Sequence, residues 1–333
     1  MIKYIGSKRV LVPRILEVVR ALGGVRTALD LFSGTSRVAH ALKATGVHVT
    51  ANDHLAYAHA LARCYVQADG ARVRRDAERL VAELDALPGR AGWFTETYCV
   101  ASRYLHPKNG ERVEAIRERI AALSLDPDLE AVLLVSLMEA ADRVDSTVGL
   151  QMAYLKTWAR RAHKDLALRV PEVLDGPGRA LRLDAREAAA TGEYDLVYVD
   201  PPYNQHRYLG NYHVWETLVR WDRPEVYGVA CKRVDCRDYD SPFNSRKRIH
   251  AALREVFASV RARHLVVSFS DEGHVTRAEL EAMLGEHGEV TTHEVDFKRY
   301  VGAQIGIYNP AGEKVGKVGR LRNREHLFVA RVG

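Results

Sequence analysis

Leu196-Val197-Tyr198-Val199-Asp200-Pro201-Pro202-Tyr203 is the stretch whose reading decides the fold. Its apolar run reads as a buried parallel strand. Neither Pro201 nor Pro202 carries an N–H, so the backbone must leave the sheet at its carboxyl edge. That edge is where open α/β sheets bind ligands. Asp200 adds a carboxylate acceptor there, the prolines add carbonyls freed from the ladder, and Tyr203 adds an aromatic face. The set suits a flat heterocycle with an exocyclic amine, which would donate to Asp200 and a proline carbonyl while Tyr203 stacks on the ring. For the motif alone, a strand end followed by a Pro-rich turn is the plainer reading.

Three further segments change that balance. Leu29-Asp30-Leu31-Phe32-Ser33-Gly34-Thr35-Ser36 reads as a strand and a tight turn into a helix. Ser33, Gly34 and Thr35 let the backbone approach a ligand, and Ser36 is placed to cap a helix starting at Arg37. The turn is neither GxGxxG nor a phosphate loop with Gly-Lys-Ser/Thr, which argues against a pyrophosphate and for a smaller ligand. The next apolar run, Val47–Ala51, ends in Asn52-Asp53. An acidic residue about 20 positions past a first βα turn is well placed for ribose hydroxyls. The N-terminal Lys3-Tyr4-Ile5-Gly6-Ser7-Lys8-Arg9 gathers an aromatic ring, a glycine, a hydroxyl and cations, although a basic start alone reads as a solvated tail.

Periodicity divides the chain into three parts. Residues 1–68 predict strand, helix, strand, helix (Thr27–Phe32, Ser36–Thr45, Val47–Ala51, then His54 onward). Residues 69–178 turn helical and charged, with apolar spacings of three and four over Ala71–Leu87, Glu111–Leu125 and Asp128–Asp145. Gly176-Pro177-Gly178 reads as a linker. Alternation then resumes with strands at Leu181–Asp184, Asp195–Val199 and Leu265–Phe269 and helices around Tyr212–Trp221, Arg246–Arg263 and Thr276–His287. Two late strands, Val290–Lys298 and His326–Arg331, predict a hairpin. The expected α/β architecture is a mostly parallel sheet with an antiparallel hairpin at one edge, and a helical insertion.

Composition sets limits. The 333 residues are 47% apolar, enough for one large core with an insertion or for two domains. A net charge of +6 fits a nucleic-acid partner without proving one. Cys64, Cys99, Cys231 and Cys236 are too scattered for a disulfide framework, and no second pair completes a zinc set. No apolar run approaches a membrane span, and the first residues are too polar for a signal peptide, so a cytoplasmic setting is expected.

Taken in order, the N-terminal segment, the small-residue turn, the acidic residue after the second strand and the Asp-Pro-Pro-Tyr turn resemble the D12 class of DNA N6-adenine methyltransferases. That class includes Dam-like enzymes; the polar, aromatic stretch Asn204–His213 is closer to the type IIS restriction-associated adenine methylases. Glu325-His326-Leu327-Phe328-Val329 looks like the last strand of that family. The resemblance implies a Rossmann-like S-adenosylmethionine (SAM) sheet formed by residues 1–68 and 179–333, and a target-recognition insertion over 69–178. It implies transfer of a methyl group from SAM to N6 of an adenine flipped out of double-stranded DNA, with a cognate restriction endonuclease as partner and no metal. Asp200, Pro201, Pro202 and Tyr203 would grip the target base. Tyr4, Asp30, Phe32, Ser33, Gly34, Thr35 and Asp200 would surround the cofactor. Lys8 would take its carboxylate end, Asp53 its ribose and Asp184 its adenine amine. For Asp184, a helix N-cap is the competing role.

Phosphate contacts are expected from Lys3, from Arg246 and Lys247 at a helix start, and from Lys156, Arg160 and Lys164. The last three recur every fourth residue and would line one face of a helix. A solvated amphipathic helix explains that row equally well. Lys314–Arg324 is a further basic cluster. An RNA N6-adenine methyltransferase and a non-catalytic DNA-binding protein with a degenerate SAM fold remain rival readings. Methylation of cytosine N4 or of a glutamine amide ranks lower, because those families more often carry Ser or Asn where Asp200 stands. Cytosine C5 methylation needs a nucleophilic cysteine, and no cysteine lies near a motif.

Overall fold

The computed structural model describes residues 1–298 and 322–332. Strands β1 (Thr27–Asp30), β2 (His48–Asn52), β3 (Arg179–Leu181), β4 (Tyr194–Val199), β7 (Ala262–Ser270), β8 (Gly288–Lys298) and β9 (Arg322–Val332) form one sheet in the order β3-β2-β1-β4-β7-β9-β8. The first five run parallel, and β9 lies antiparallel between β7 and β8. The remaining strands, β5 (Val226–Tyr227) and β6 (Lys232–Arg233), make a small separate hairpin. Strand order reverses between β1 and β4, which opens a crevice at their carboxyl ends. The fold is the expected Rossmann-like sheet with its hairpin edge.

Side-chain alternation gives the sheet two apolar faces. Leu196 and Tyr198 point to one core, Val197 and Val199 to the other. The second core is closed by helices Ile249–Ser259 and Arg277–Gly285. The first is closed by helices Val12–Leu22, Arg37–Ala44 and Ala56–Ala62, and it continues unbroken into the insertion. Three insertion helices appear as expected, at Gly70–Asp85, Pro107–Ala122 and Pro127–Val144. Asp69 and Asp126 cap the first and third by accepting N–H bonds from Ala71 and Asp128. In the third helix 12 of 18 residues are buried, so it is a core element despite the charged character of the region.

Four expectations need correction. The Val12–Leu22 helix was not foreseen, although Pro13 opens it and Ile15, Val18 and Val19 are its buried face. Most of 145–178 is irregular rather than helical. In particular, no helix runs through Tyr154–Lys164; only a 3-10 turn at Arg160–His163 forms. Side chains of neighbouring elements take the carbonyls a helix would use: Arg103 bonds that of Lys156, Lys108 that of His163, and Asn109 those of Ala162 and Lys164. Nor is Gly178 part of a loose linker, because a Cβ there would lie 2.4 Å from the Val66 carbonyl and 2.9 Å from that of Val49. Glycine is needed for this close packing as the chain enters β3.

Candidate active site

At the crevice the β1 turn is shaped from beneath. Gly34 has φ +49°, and its N–H donates to Asp53 Oδ2 at 3.0 Å. The Ser33 N–H donates to the Asn52 carbonyl at 2.9 Å. Asn52 is fully used: its amide donates to the Leu31 and Leu183 carbonyls, and its Oδ1 accepts from the Leu183 N–H. It thereby ties the ends of three parallel strand segments together. Ser36 does not cap the next helix. It sits at φ 58° with its Oγ buried and unbonded, because the turn closes through its own N–H onto the Ser33 carbonyl at 2.6 Å.

Asp30 lies under this turn, 1% exposed. Its Oδ2 accepts the Ala39 N–H at 3.2 Å, while Oδ1 is buried without a partner. Burial, with Asp200 adding to it, pushes its pKa up to about 8. Burial also raises Asp53, whose two oxygens each accept one backbone N–H, from Gly34 and Leu55.

The N-terminal segment crosses the mouth. The Tyr4 ring stacks on Tyr212 (4.6 Å, 16°) and Tyr208 (5.2 Å, 19°), and its hydroxyl meets that of Tyr57 at 3.2 Å. The Tyr212 hydroxyl accepts the Ile5 N–H at 2.6 Å, which pins the segment. Lys8, 6% exposed, places its ammonium 2.9 Å from Asp200 Oδ1 and 2.9 Å from Glu325 Oε1. Ser268 Oγ donates to the same Glu325 oxygen at 2.6 Å. Burial raises Asp200 to about 7 against the pull of Lys8. For Lys8, burial alone would lower the pKa, but Asp200 and Glu325 outweigh it and hold it well above an ordinary amine.

These groups converge on one cleft holding about 660 Å³ of empty space, part of it open to solvent. Tyr4, Lys8, Asp30, Phe32, Ser33, Gly34, Thr35, Asp53, Asp200 and Pro202 all line it, joined by Arg37, Tyr208 and a His54–Tyr239 stack. The arrangement presents a carboxylate, Asp200, at the end of β4, beside a small-residue turn backed by two further acids. Residues 4–283 match the family described as D12 class N6 adenine-specific DNA methyltransferase. The chain belongs to that family.

Relatives agree. The chain is 27% identical over 322 residues to modification methylase StsI of Streptococcus sanguinis, covering 90% of this chain and 48% of that protein. It is 28% identical over 313 residues to the type II methyltransferase M.FokI of Planomicrobium okeanokoites, covering 88% and 48%. With M.NlaIII of Neisseria lactamica the identity is 26% over 312 residues, covering 89% and 92%. The chain thus spans about half the length of the first two relatives and nearly all of the third.

Not every residue expected of a D12 methyltransferase joins the cleft. Pro201 is buried behind Pro202, and no group among the described residues bonds its carbonyl. The Tyr203 ring lies beside the cleft lining, 5.3 Å from the Phe269 ring and 5.8 Å from the Lys8 ammonium. Asp184 is outside the cleft: it caps helix Ala185–Ala189 by accepting the Arg186 N–H. The competing N-cap role is therefore the one its geometry matches.

The basic residues scatter. Lys3 is ion-paired to Asp145 at 2.7 Å and bonds the Asp142 carbonyl, so its ammonium is occupied within the fold. Arg161 pairs with the same Asp145. Lys156, Arg160 and Lys164 lie on an irregular segment and share no helix face, although all three are exposed. Arg246 and Lys247 are exposed in the turn before helix Ile249–Ser259, not at its first residues. Residues 314–321 of the last basic cluster lie outside the described residues. Four participants escaped sequence reasoning: Glu325, Tyr57, Tyr208 and Arg37. Only Tyr208 had a local signal, its spacing of four from Tyr212. Among the described residues no cluster of ligands could hold a metal ion, and no helix is long and apolar enough to cross a membrane.

Proposed function

We propose that the chain transfers a methyl group from SAM to N6 of an adenine in double-stranded DNA. One observation carries this: Asp200 opens into the same cleft as the Gly34 turn, Asp30 and Asp53. The cleft fits SAM on its own terms. The orphaned Asp30 Oδ1 suits the α-ammonium, and each oxygen of Asp53 keeps a lone pair for a ribose hydroxyl. The backbone at Ser33, Gly34 and Thr35 is bare enough for close approach. Bound there, SAM supplies a methyl group already activated by its sulfonium charge.

The chain's residues do the rest. Lys8 occupies Oδ1 of Asp200, which leaves Oδ2 and the unbonded Pro201 carbonyl to accept the two amine hydrogens of adenine. That pairing favours a pyramidal nitrogen whose lone pair is free to attack. With a pKa near 7, Asp200 is also suited to take up the proton released once the nitrogen is methylated. A stacked adenine cannot reach this depth, so it flips out at a cost of a few kcal/mol, with Tyr203 offering a ring to stack on.

Residues 1–68 and 179–333 form the catalytic part in this reading, and 69–178 recognise the target. The type II names of relatives support a cognate restriction endonuclease as partner. Four free, buried cysteines suit a reducing cytoplasm. The test is tritiated methyl transfer from SAM to DNA and to RNA, followed by nucleoside analysis. N6-methyladenine in DNA is expected, and Asp200→Ala should lower its rate by at least about 100-fold while DNA binding persists. N4-methylcytosine, or label confined to RNA, overturns the assignment.

A further inference from the structure

Two side chains that are cationic at neutral pH, Lys8 and Arg37, line the cleft. Lys8 is engaged by Asp200 and Glu325. Arg37 has no such partner. Among the described residues its guanidinium makes no ion pair or hydrogen bond, and its Nε is buried and unsatisfied. Burial lowers its pKa, and the nearby Arg9 acts in the same direction. A half-buried cation beside another cation, with no anion against it, is an arrangement that an incoming anion would relieve.

The position of Arg37 says which anion. It is the first residue of helix Arg37–Ala44, two before Ala39, whose N–H holds Oδ2 of Asp30. The other oxygen of Asp30 is equally orphaned. One turn of backbone therefore presents one unpaired carboxylate oxygen and one unpaired guanidinium to the same cleft. An amino-acid end, with an ammonium and a carboxylate on one carbon, is complementary to that pair.

We propose that Arg37 is the carboxylate-recognition residue of this cleft, binding the methionine carboxylate of SAM while Asp30 faces the ammonium. The proposal rests on the cofactor assigned above. It moves the carboxylate from Lys8, where the sequence had put it, to a residue with an unused guanidinium. Lys8 keeps the separate task of holding Asp200.

Calorimetric binding separates the two assignments. The ligands are S-adenosylhomocysteine, which keeps the carboxylate, and its decarboxylated analogue; the proteins are wild type, Arg37→Gln and Arg37→Lys. Wild type should bind S-adenosylhomocysteine about 10- to 100-fold more tightly than the analogue, the scale of one charge-assisted hydrogen-bonded pair. Arg37→Gln should lose that factor for S-adenosylhomocysteine and leave the analogue unchanged, and Arg37→Lys should recover part of it. Equal weakening of both ligands would mean that Arg37 only packs the turn, and unchanged affinity for S-adenosylhomocysteine would mean it touches nothing; either overturns the proposal alone. Failure of wild type to bind either nucleoside removes the cofactor assignment, and this one with it.

Discussion

Replacing Lys8 by Gln removes the cation that sits between Asp200 and Glu325. Its ammonium is 2.9 Å from both, and among the described residues neither carboxylate has another ion-pair partner. Breaking a buried pair by deleting one partner costs about 3–5 kcal/mol. Here two acids lose their counter-charge, and Asp200, already raised to about 7, is the one to recover by taking a proton. A carboxylate whose folded pKa lies above its ordinary 3.8 contributes stability in full below that value and loses it as pH rises through the folded pKa. In wild type that loss is complete a little above pH 7; in Lys8→Gln it continues upward. The variant should therefore be about 3–5 kcal/mol less stable than wild type near pH 8, and the gap should shrink to about 1 kcal/mol near pH 5. Urea denaturation at both pH values measures this. The acid limb of kcat/KM for methyl transfer should also move up by about one pH unit or more, since protonated Asp200 cannot accept the amine. A pH-independent difference, or one below about 1 kcal/mol near pH 8, refutes the reasoning.

Other outcomes can be checked separately. Affinity for SAM should rise as pH increases through about 8, because burial and Asp200 hold Asp30 protonated below that point and a cation prefers the ionised form. Asp30→Asn should flatten the profile; a slope that survives would exonerate Asp30. Asn52→Ala forfeits three bonds at a site 1% exposed. It should cost about 2–4 kcal/mol by thermal denaturation, as buried backbone groups are left unpaired. Asp184→Ala should cost about 1 kcal/mol, an N-cap's worth, with SAM affinity unchanged by calorimetry. A large loss of SAM affinity would restore Asp184 to the cofactor.

Local patterns made the sheet legible. Alternation in Leu196–Val199, the prolines that stop it, and the small-residue turn at Ser33–Thr35 each have a purely neighbour-to-neighbour cause, and each is found where expected. The cleft residues taken from the ordered motifs converge for the same reason: strand ends fix where they lie. What failed was whatever depended on distant partners. The Lys156, Arg160, Lys164 spacing is helical, yet Arg103, Lys108 and Asn109 hold that segment's carbonyls from outside. Lys3 looked free until Asp142 and Asp145, more than 130 residues on, were seen to hold it. Glu325 lay within a recognised strand, but nothing near it in sequence announces a lysine at position 8 as its partner.

That last contact has a consequence for synthesis in the cell. The acid that shares Lys8 with the base-gripping carboxylate belongs to a strand inserted between two earlier-named neighbours, β7 and β8, at the far end of the chain. A ribosome-bound polypeptide that has exposed every recognised motif up to Tyr203 still lacks the second half of this charge triad. Competence to modify a genome therefore arrives late and all at once, when β9 threads into its slot. An enzyme that marks DNA permanently is in this way kept silent until its sheet is complete.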